Sequence, residues 1–415
     1  MTYKNPIKLF FSVISDKRFW AFFGSALLVS VAYMDPGNFG TDISAGSFFN
    51  YSLLWAVWLS SIMAMLLQYL SGKLGIAGYS LSEIVKLKLQ NKNYILLYWV
   101  LSEFAILATD MAEFLGIALA LNLLFNIPLI FAAIISLFDV LLLAILVKRG
   151  FRTLEYAFIS FVSIIGIGYA FELFFVRPNL LDIATGSFTL TLNSNSLFLV
   201  VGIIGATVMP HALFVHSWLN KNKQKSSKLD KITANEFHTV DTFLSLFVAG
   251  LINAAILIMA ATSFYGLSKP ILTITDAYLT LGPLFGKLSA IIFAVTLLFS
   301  GISSSITGTL AGQSIMESLT DFKVPIWQRR LVTRLLNAIP VVIAIFLGVN
   351  PLNLLVLSQV VLSMLIPLPM IPLILFTSDK EIMKDLVNSK PIKYLSIFFA
   401  TIIIVLNVYL LLTVI

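Results

Sequence analysis

The feature that most restricts this chain is the recurrence of apolar runs about as long as a bilayer is thick. Eleven such segments are nearly free of charge: residues 19–47, 51–72, 94–123, 127–147, 154–176, 197–219, 241–266, 285–316, 331–348, 351–377 and 394–415. About 20 helical residues cross a hydrocarbon core about 30 Å thick. Composition makes the alternative untenable. Of 415 residues, 59% are hydrophobic and 11% charged, and mean hydropathy is +0.97. Soluble domains carry about a quarter charged residues, and a water-soluble fold of this length could not bury so much apolar surface. The connections leave no room for a separate soluble domain. The expected class is an all-α polytopic membrane protein, one integral domain over residues 1–415 with eleven transmembrane helices.

Basic residues favour the cytoplasmic side of a membrane protein. If the N-terminus is inside, 24 of the 27 Lys and Arg residues fall on cytoplasmic segments. These include Lys4, Lys8, Lys17 and Arg18 at the N-terminus and Lys221 to Lys231 between the sixth and seventh spans. Lys323, Arg329 and Arg330 are expected in the cytoplasmic loop between the eighth and ninth spans, with Arg334 just inside the ninth. Only Arg177, Lys269 and Lys287 fall outside. The expectation is a cytoplasmic N-terminus, an extracellular C-terminus and, from the short termini, a prokaryotic plasma membrane. The net charge of +7 then reflects topology. Dispersed over six segments, it implies lipid contact and no nucleic-acid partner. No nucleotide-binding loop is present, and without cysteine there is neither disulfide nor thiolate metal site. The N-terminus lacks a cleavable-signal pattern, so the first span is expected to remain in the mature protein.

Two spans are interrupted at mid-depth. The first contains Asp35-Pro36-Gly37-Asn38 and the sixth Gly205-Ala206-Thr207-Val208-Met209-Pro210-His211. Proline disfavours helical geometry in the residue before it and removes a backbone donor. In hydrocarbon such backbone is tolerated only where it lines a protein-enclosed cavity. A single proline kink is ordinary. Two interruptions five spans apart, each beside a ligand-capable side chain, point to inverted repeats built around a binding site. The implied division is 1–176 for the first five-helix repeat, 197–377 for the second, inverted one, and 394–415 for an extra helix, with helices 1 and 6 unwound.

Asp35 at a helix centre costs roughly 2.5–3.5 kcal/mol and marks an ion path. Asn38 adds an amide oxygen, Met209 a thioether sulfur, and the freed carbonyl of Ala206 another oxygen. Mg²⁺ and Ca²⁺ demand oxygen, whereas a sulfur donor favours softer transition ions. Met209 by itself would be ordinary packing; its place before Pro210, in the span paired with Asp35, gives it meaning. A second group lies on the third span, where Asp110 and Glu113 share a helix face and Glu103 lies on nearly the same stripe. With His211, His216 and Arg334 they form either a proton relay or a structural ion-pair network.

The stretches "VAYMDPGNFGTDISAG" and "GATVMPHALFVHSWL" resemble the two broken helices of the Nramp divalent-metal transporters. "ATDMAEFLGIALALNLLF", "SITGTLAGQSIMES", "RRLVTRLLNAIP" and "SQVVLSMLIPLPMIPL" resemble that family's third, eighth, ninth and tenth spans. The resemblance implies a LeuT-like fold and proton-coupled import of Mn²⁺ and Fe²⁺, with Cd²⁺ and Co²⁺ as further substrates. No enzymatic activity and no resident cofactor are implied. It assigns Asp35, Asn38, Met209 and the Ala206 carbonyl to the metal, with Gln359 as an additional ligand. It ties His211, Asp110, Glu113 and Arg334 to proton movement. Ile302 and Leu365 stand where glutamines are expected. The rival readings are a symporter of an organic solute such as an amino acid, a channel-like metal uniporter and a membrane metalloenzyme. Against the first, Asp35 would repel a carboxylate; against the last, no HExxH-type motif or zinc triad is present.

Overall fold

The computed structural model describes residues 6–268 and 270–414. Lys4 and Lys269, counted in the charge distribution, and Ile415, the end of the expected eleventh span, lie outside the described residues. Helices α1 (Pro6–Ser15) and α2 (Lys17–Phe22) precede the first long apolar run. Asp16 separates them and caps α2 by accepting from the Arg18 amide at 2.8 Å, a favoured N-cap arrangement. The chain continues through α3 (Ser25–Ser30), a 3-10 turn at Val31–Met34, α4 (Pro36–Phe49), α5 (Leu54–Ala77) and α6 (Leu81–Leu89). Next come α7 (Lys92–Phe125), α8 (Leu129–Ser136), α9 (Asp139–Lys148), α10 (Phe151–Val176) and α11 (Leu180–Phe188). The second half holds α12 (Ser194–Thr207), α13 (Pro210–Ser226), α14 (Lys231–Phe264), α15 (Ile274–Phe285) and α16 (Lys287–Thr320). It ends with α17 (Ile326–Phe346), α18 (Pro351–Leu365), α19 (Pro367–Thr377), α20 (Lys380–Met383) and α21 (Lys390–Val414). No strand occurs among the described residues.

Nine runs among the described residues are long and apolar enough to cross a membrane. The difference from eleven lies in two places. Pro36–Ala77 reads as one run of 42 residues, although Asn50 at φ +54° interrupts it, and the pieces before Pro36 are short. Helix α17 carries Arg329, Arg330 and Arg334, which make it too polar for an apolar run. The segment expected as a single fourth span is two helices, α8 and α9.

The run Ser194–Ser226 forms the centre of the molecule, with 94% of its most apolar stretch buried, against 28% for the peripheral Leu129–Leu146. The principal seams join α7 to α16, α5 to α13, α14 to both α4 and α5, and α12 to α18. Apolar surface gives little drive for helix association in lipid, where close packing and interhelical hydrogen bonds take over. Helix α16 is built for that role. A Cβ on Gly301 would stand 2.7 Å from Ile117 of α7, and the hydroxyls of α16 reach carbonyls of the first span.

Candidate functional site

The first interruption is a capped helix start placed in the protein interior. Asp35 has extended backbone (φ −73°, ψ 167°) and its carboxylate accepts from the Asn38 amide at 2.8 Å, with Pro36 at the first helical position of α4. Acid cap followed by proline is a strong local signal for a helix N-terminus. The carbonyls left over by the break find donors from other helices. Ser300 Oγ donates to Met34 O at 2.5 Å, Thr307 Oγ1 to Leu28 O at 3.1 Å and Asn253 Nδ2 to Tyr33 O at 2.8 Å.

The second interruption mirrors the first. Helix α12 ends at Thr207, Val208 leaves helical geometry, Met209 is extended (φ −62°, ψ 123°), and Pro210 opens α13. Met209 makes no side-chain cap bond and is fully buried, so its thioether is not engaged in capping. The proline at 367 behaves differently. Ile366 keeps helical dihedrals and accepts from Met370 N at 3.1 Å, so the ladder resumes at once.

The two interruptions meet. Asn38 Nδ2 donates to Asp35 Oδ1 at 2.9 Å and to Ala206 O at 3.0 Å. On its other side, Asn38 Oδ1 accepts from Asn253 Nδ2 at 3.2 Å and Thr207 Oγ1 at 3.4 Å. Gln359 of α18 lies between the breaks. A Cβ on Gly37 would overlap its carboxamide, and one on Gly205 would overlap its backbone oxygen. Asp35, Asn38, Ala206, Met209 and Gln359 are all 0% exposed. Asp35 Oδ2 and Gln359 Oε1 have no hydrogen-bond partner. Buried oxygens left unpaired are costly, and a carboxylate with a bare oxygen, an amide, a carbonyl and a thioether suit a dication of intermediate softness.

The carboxylates of the third span do not form one chain. Asp110 pairs with Arg330, lies 3.1 Å from Arg334 and accepts from Asn337 at 2.8 Å. Asp139 of α9 accepts from Arg330 at 2.7 Å, from Ser305 at 3.1 Å and from Arg334. Glu113 is fully buried, has both oxygens without hydrogen bonds and lies 3.8 Å from Arg330. Glu103 stands apart, held by Arg329 at 2.5 Å and by Trp99 at 3.1 Å.

The histidines also separate. Thr109 gives its proton to Ala105 O at 3.1 Å, so it accepts from His211 Nδ1 at 3.1 Å, and His211 Nε2 is left without a partner. His216 instead bonds Gln68 at 2.8 Å and packs against His238 with ring centroids 5.1 Å apart. Gln68 in turn reaches the Tyr33 hydroxyl at 2.6 Å. Ile302 is half-buried in α16, and Leu365 lines a largely apolar groove beside Tyr98.

Sequence reasoning placed Arg329 and Arg330 in a cytoplasmic loop, whereas both are buried in α17 and bound to acids. It also passed over Asp139 and Asn253. Two signals were available: Arg330 and Arg334 are four apart on one helix face, and Asp139 is the lone acid of its apolar segment. Asn253 carries no such mark.

The model of the natural resistance-associated macrophage protein-like (Nramp) family matches residues 26–413. The divalent metal cation transporter MntH of Deinococcus radiodurans is 41% identical over 398 residues, 95% of this chain and 90% of that protein. MntH of Bacillus subtilis is 41% identical over 394 residues, 94% and 91% respectively. The crystal structure of the Eremococcus coleocola manganese transporter, in complex with an aromatic bis-isothiourea substituted compound, superposes with a TM-score of 0.84 at 33% identity, covering 94% of this chain and 86% of that one. A nucleobase-cation-symport-1 family transporter, Mhp1, shares the fold at a TM-score of 0.55 and 14% identity, over 90% and 80% of the two chains.

Proposed function

Because the chain belongs to the Nramp family, we propose that it is a secondary active importer of divalent transition-metal ions. Its substrates are Mn²⁺ and Fe²⁺, with Cd²⁺ and Co²⁺ also carried. The observation that carries this reading is the convergence of Asp35, Asn38, the Ala206 carbonyl and Gln359 at two facing helix breaks, with Asp35 Oδ2 and Gln359 Oε1 left bare. Asp35 supplies the charge, Ala206 and Asn38 neutral oxygens, Met209 the soft donor, and Gln359 closes the shell. For Asn38 to offer its oxygen, its amide must turn over, which withdraws the Nδ2 group now bridging Asp35 and Ala206. One carboxylate against two positive charges holds the ion loosely enough to release it.

Transport proceeds by alternating access in a bundle of eleven crossings. Spans one to five and six to ten form inverted repeats in a LeuT-like arrangement, with the N-terminus cytoplasmic, the C-terminus outside and the plasma membrane as the site of action. A membrane potential of 100 mV favours inward movement by about 2.3 kcal/mol per charge, or about 4.6 kcal/mol for a dication. Proton symport adds to this drive. His211, Glu113 and Asp110 are the proton carriers, Arg334 holds a fixed positive charge beside Asp110, and His216 and Glu103 are outlying members. Purified protein in liposomes, challenged with a series of competing metals while a trapped dye reports lumenal pH, tests the reading. Transition metals should compete, amino acids should not, and entry should be saturable.

A further inference from the structure

A cavity of about 790 Å³ opens where α2, α10 and α13 meet. Its lining combines basic and aromatic side chains with one acid, Glu155. Arg18, Arg152, Lys223 and Lys228 supply four cations, and Phe22 and Trp218 form part of an apolar side. The charges belong to a built site. Lys223 is sunk to 14% side-chain exposure, donates to Phe23 O at 2.9 Å, lies 3.4 Å from Glu155 and stands 5.3 Å over the Phe22 ring. The two guanidiniums are anchored and still open. Arg18 clasps Asp16 through Nε and Nη2, Arg152 holds Glu155 at 2.8 Å through Nη1, and their side chains are 66% and 59% exposed. Each therefore retains N–H donors. Asp230, also near Arg18, is occupied in capping α14.

We propose that this cavity binds the phosphate of an anionic phospholipid of the inner leaflet, with its apolar portion against Phe22 and Trp218. A cavity lined by both cations and aromatic rings fits an amphiphilic anion better than a free one. Basic pockets between helices at the cytoplasmic boundary are suited to anionic headgroups. The neighbouring surface is also made for lipid: Trp20 of α2 and Ile7 and Phe11 of α1 are exposed apolar side chains close by in the chain. The inference rests on the proposed cytoplasmic placement of this end. Its consequence is mechanical. Helix α2 leads into the first interruption, and α13 leads away from the second. A phosphate bridging Arg18 to Arg152 and Lys228 ties these elements together and slows the opening that releases metal.

The test has two arms. Native mass spectrometry of the purified full chain, metal-free, measures retention of phosphatidylglycerol against phosphatidylcholine. Wild type should retain phosphatidylglycerol preferentially, and the Arg18→Gln/Arg152→Gln variant about thirtyfold less, the usual worth of two basic groups at a membrane surface. Should that variant fold poorly, Lys228→Gln, at an exposed position, should lose about fivefold. In liposomes, phosphatidylglycerol should lower the maximal Mn²⁺ rate of wild type, lower that of Lys228→Gln less, and leave that of Arg18→Gln/Arg152→Gln nearly unchanged. Any KM shift from surface charge will be common to all. Equal retention of both lipids, or retention indifferent to the substitutions, overturns the proposal. Slowing by millimolar inorganic phosphate in phosphatidylcholine vesicles overturns the lipid assignment in favour of a soluble anion. Lipid retention is read without metal, so it stands or falls separately from the transport reading.

Discussion

Asn38 and Ala206 are 168 residues apart in sequence, yet the Asn38 amide donates to the Ala206 carbonyl across 3.0 Å. One residue lies in the first turn of α4 and the other in the last turn of α12, so this single bond joins the two interruptions. The same amide group holds Asp35 Oδ1. Three of the groups proposed to ligate the ion, the Asp35 carboxylate, the Asn38 amide and the Ala206 carbonyl, are thus already gathered, with an N–H donor standing in for the cation.

Charge at the site should be indispensable. Asp35→Asn and Asp35→Ala are both expected to reduce Mn²⁺ uptake in liposomes to the protein-free background. The Asn variant keeps the shape and capping capacity of the side chain. Substantial uptake by that variant would remove the carboxylate from the site.

The sulfur should govern selectivity more than affinity. Met209→Ala is expected to keep Mn²⁺ uptake measurable while Ca²⁺ becomes an effective competitor, because water or carbonyl oxygen then replaces the soft donor. Competition assays with the two ions check this, and unchanged exclusion of Ca²⁺ would contradict it.

Gly37 and Gly205 both make room for Gln359, in different ways. A Cβ at Gly37 meets the Gln359 side chain, and a Cβ at Gly205 meets its backbone. Gly37→Ala should abolish uptake and be partly rescued by Gln359→Ala. Gly205→Ala should not be rescued by any side-chain change at 359, since backbone cannot be trimmed. Uptake by the single and double variants separates the cases.

Breaking the α7–α17 ion pairs should cost stability. Asp110 and Arg330 are both nearly fully buried, and removing one partner of such a pair costs about 3–5 kcal/mol. Arg330→Gln should lower the thermal unfolding temperature of the detergent-solubilised protein clearly more than Lys88→Gln at the exposed end of α6. Mn²⁺ entry into dye-loaded liposomes should also acidify the lumen in wild type and acidify it less in Glu113→Gln.

Glu83, on the short helix α6 outside the spans, should give stability an acid dependence. Burial raises its carboxyl, but hydrogen bonds from Lys221 and Ser80 outweigh this and hold it below its ordinary value. A depressed carboxyl stabilises the fold above its unfolded pKa, and that contribution disappears as pH falls through the folded value. Glu83→Gln should therefore be less stable than wild type at neutral pH, and the gap should close in acid.

The sequence by itself determined that the chain spans a membrane and where its irregular backbone lies. Lipid offers no partners to exposed peptide groups, so apolar length and paired Asp-Pro and Met-Pro breaks leave few solutions. It also put Asp110 and Glu113 on one face, since three residues make nearly a turn. Only the tertiary structure decided which of these residues meet. The Asn38–Ala206 bond, the place of Gln359 between Gly37 and Gly205, and the turning of His216 away from His211 toward His238 depend on how separate helices pack. Arg329, Arg330, Asp139 and Asn253 drew little notice in the sequence because their partners lie on other helices. Helical periodicity describes one segment at a time, whereas contacts across the bundle are set by the close packing of all of them.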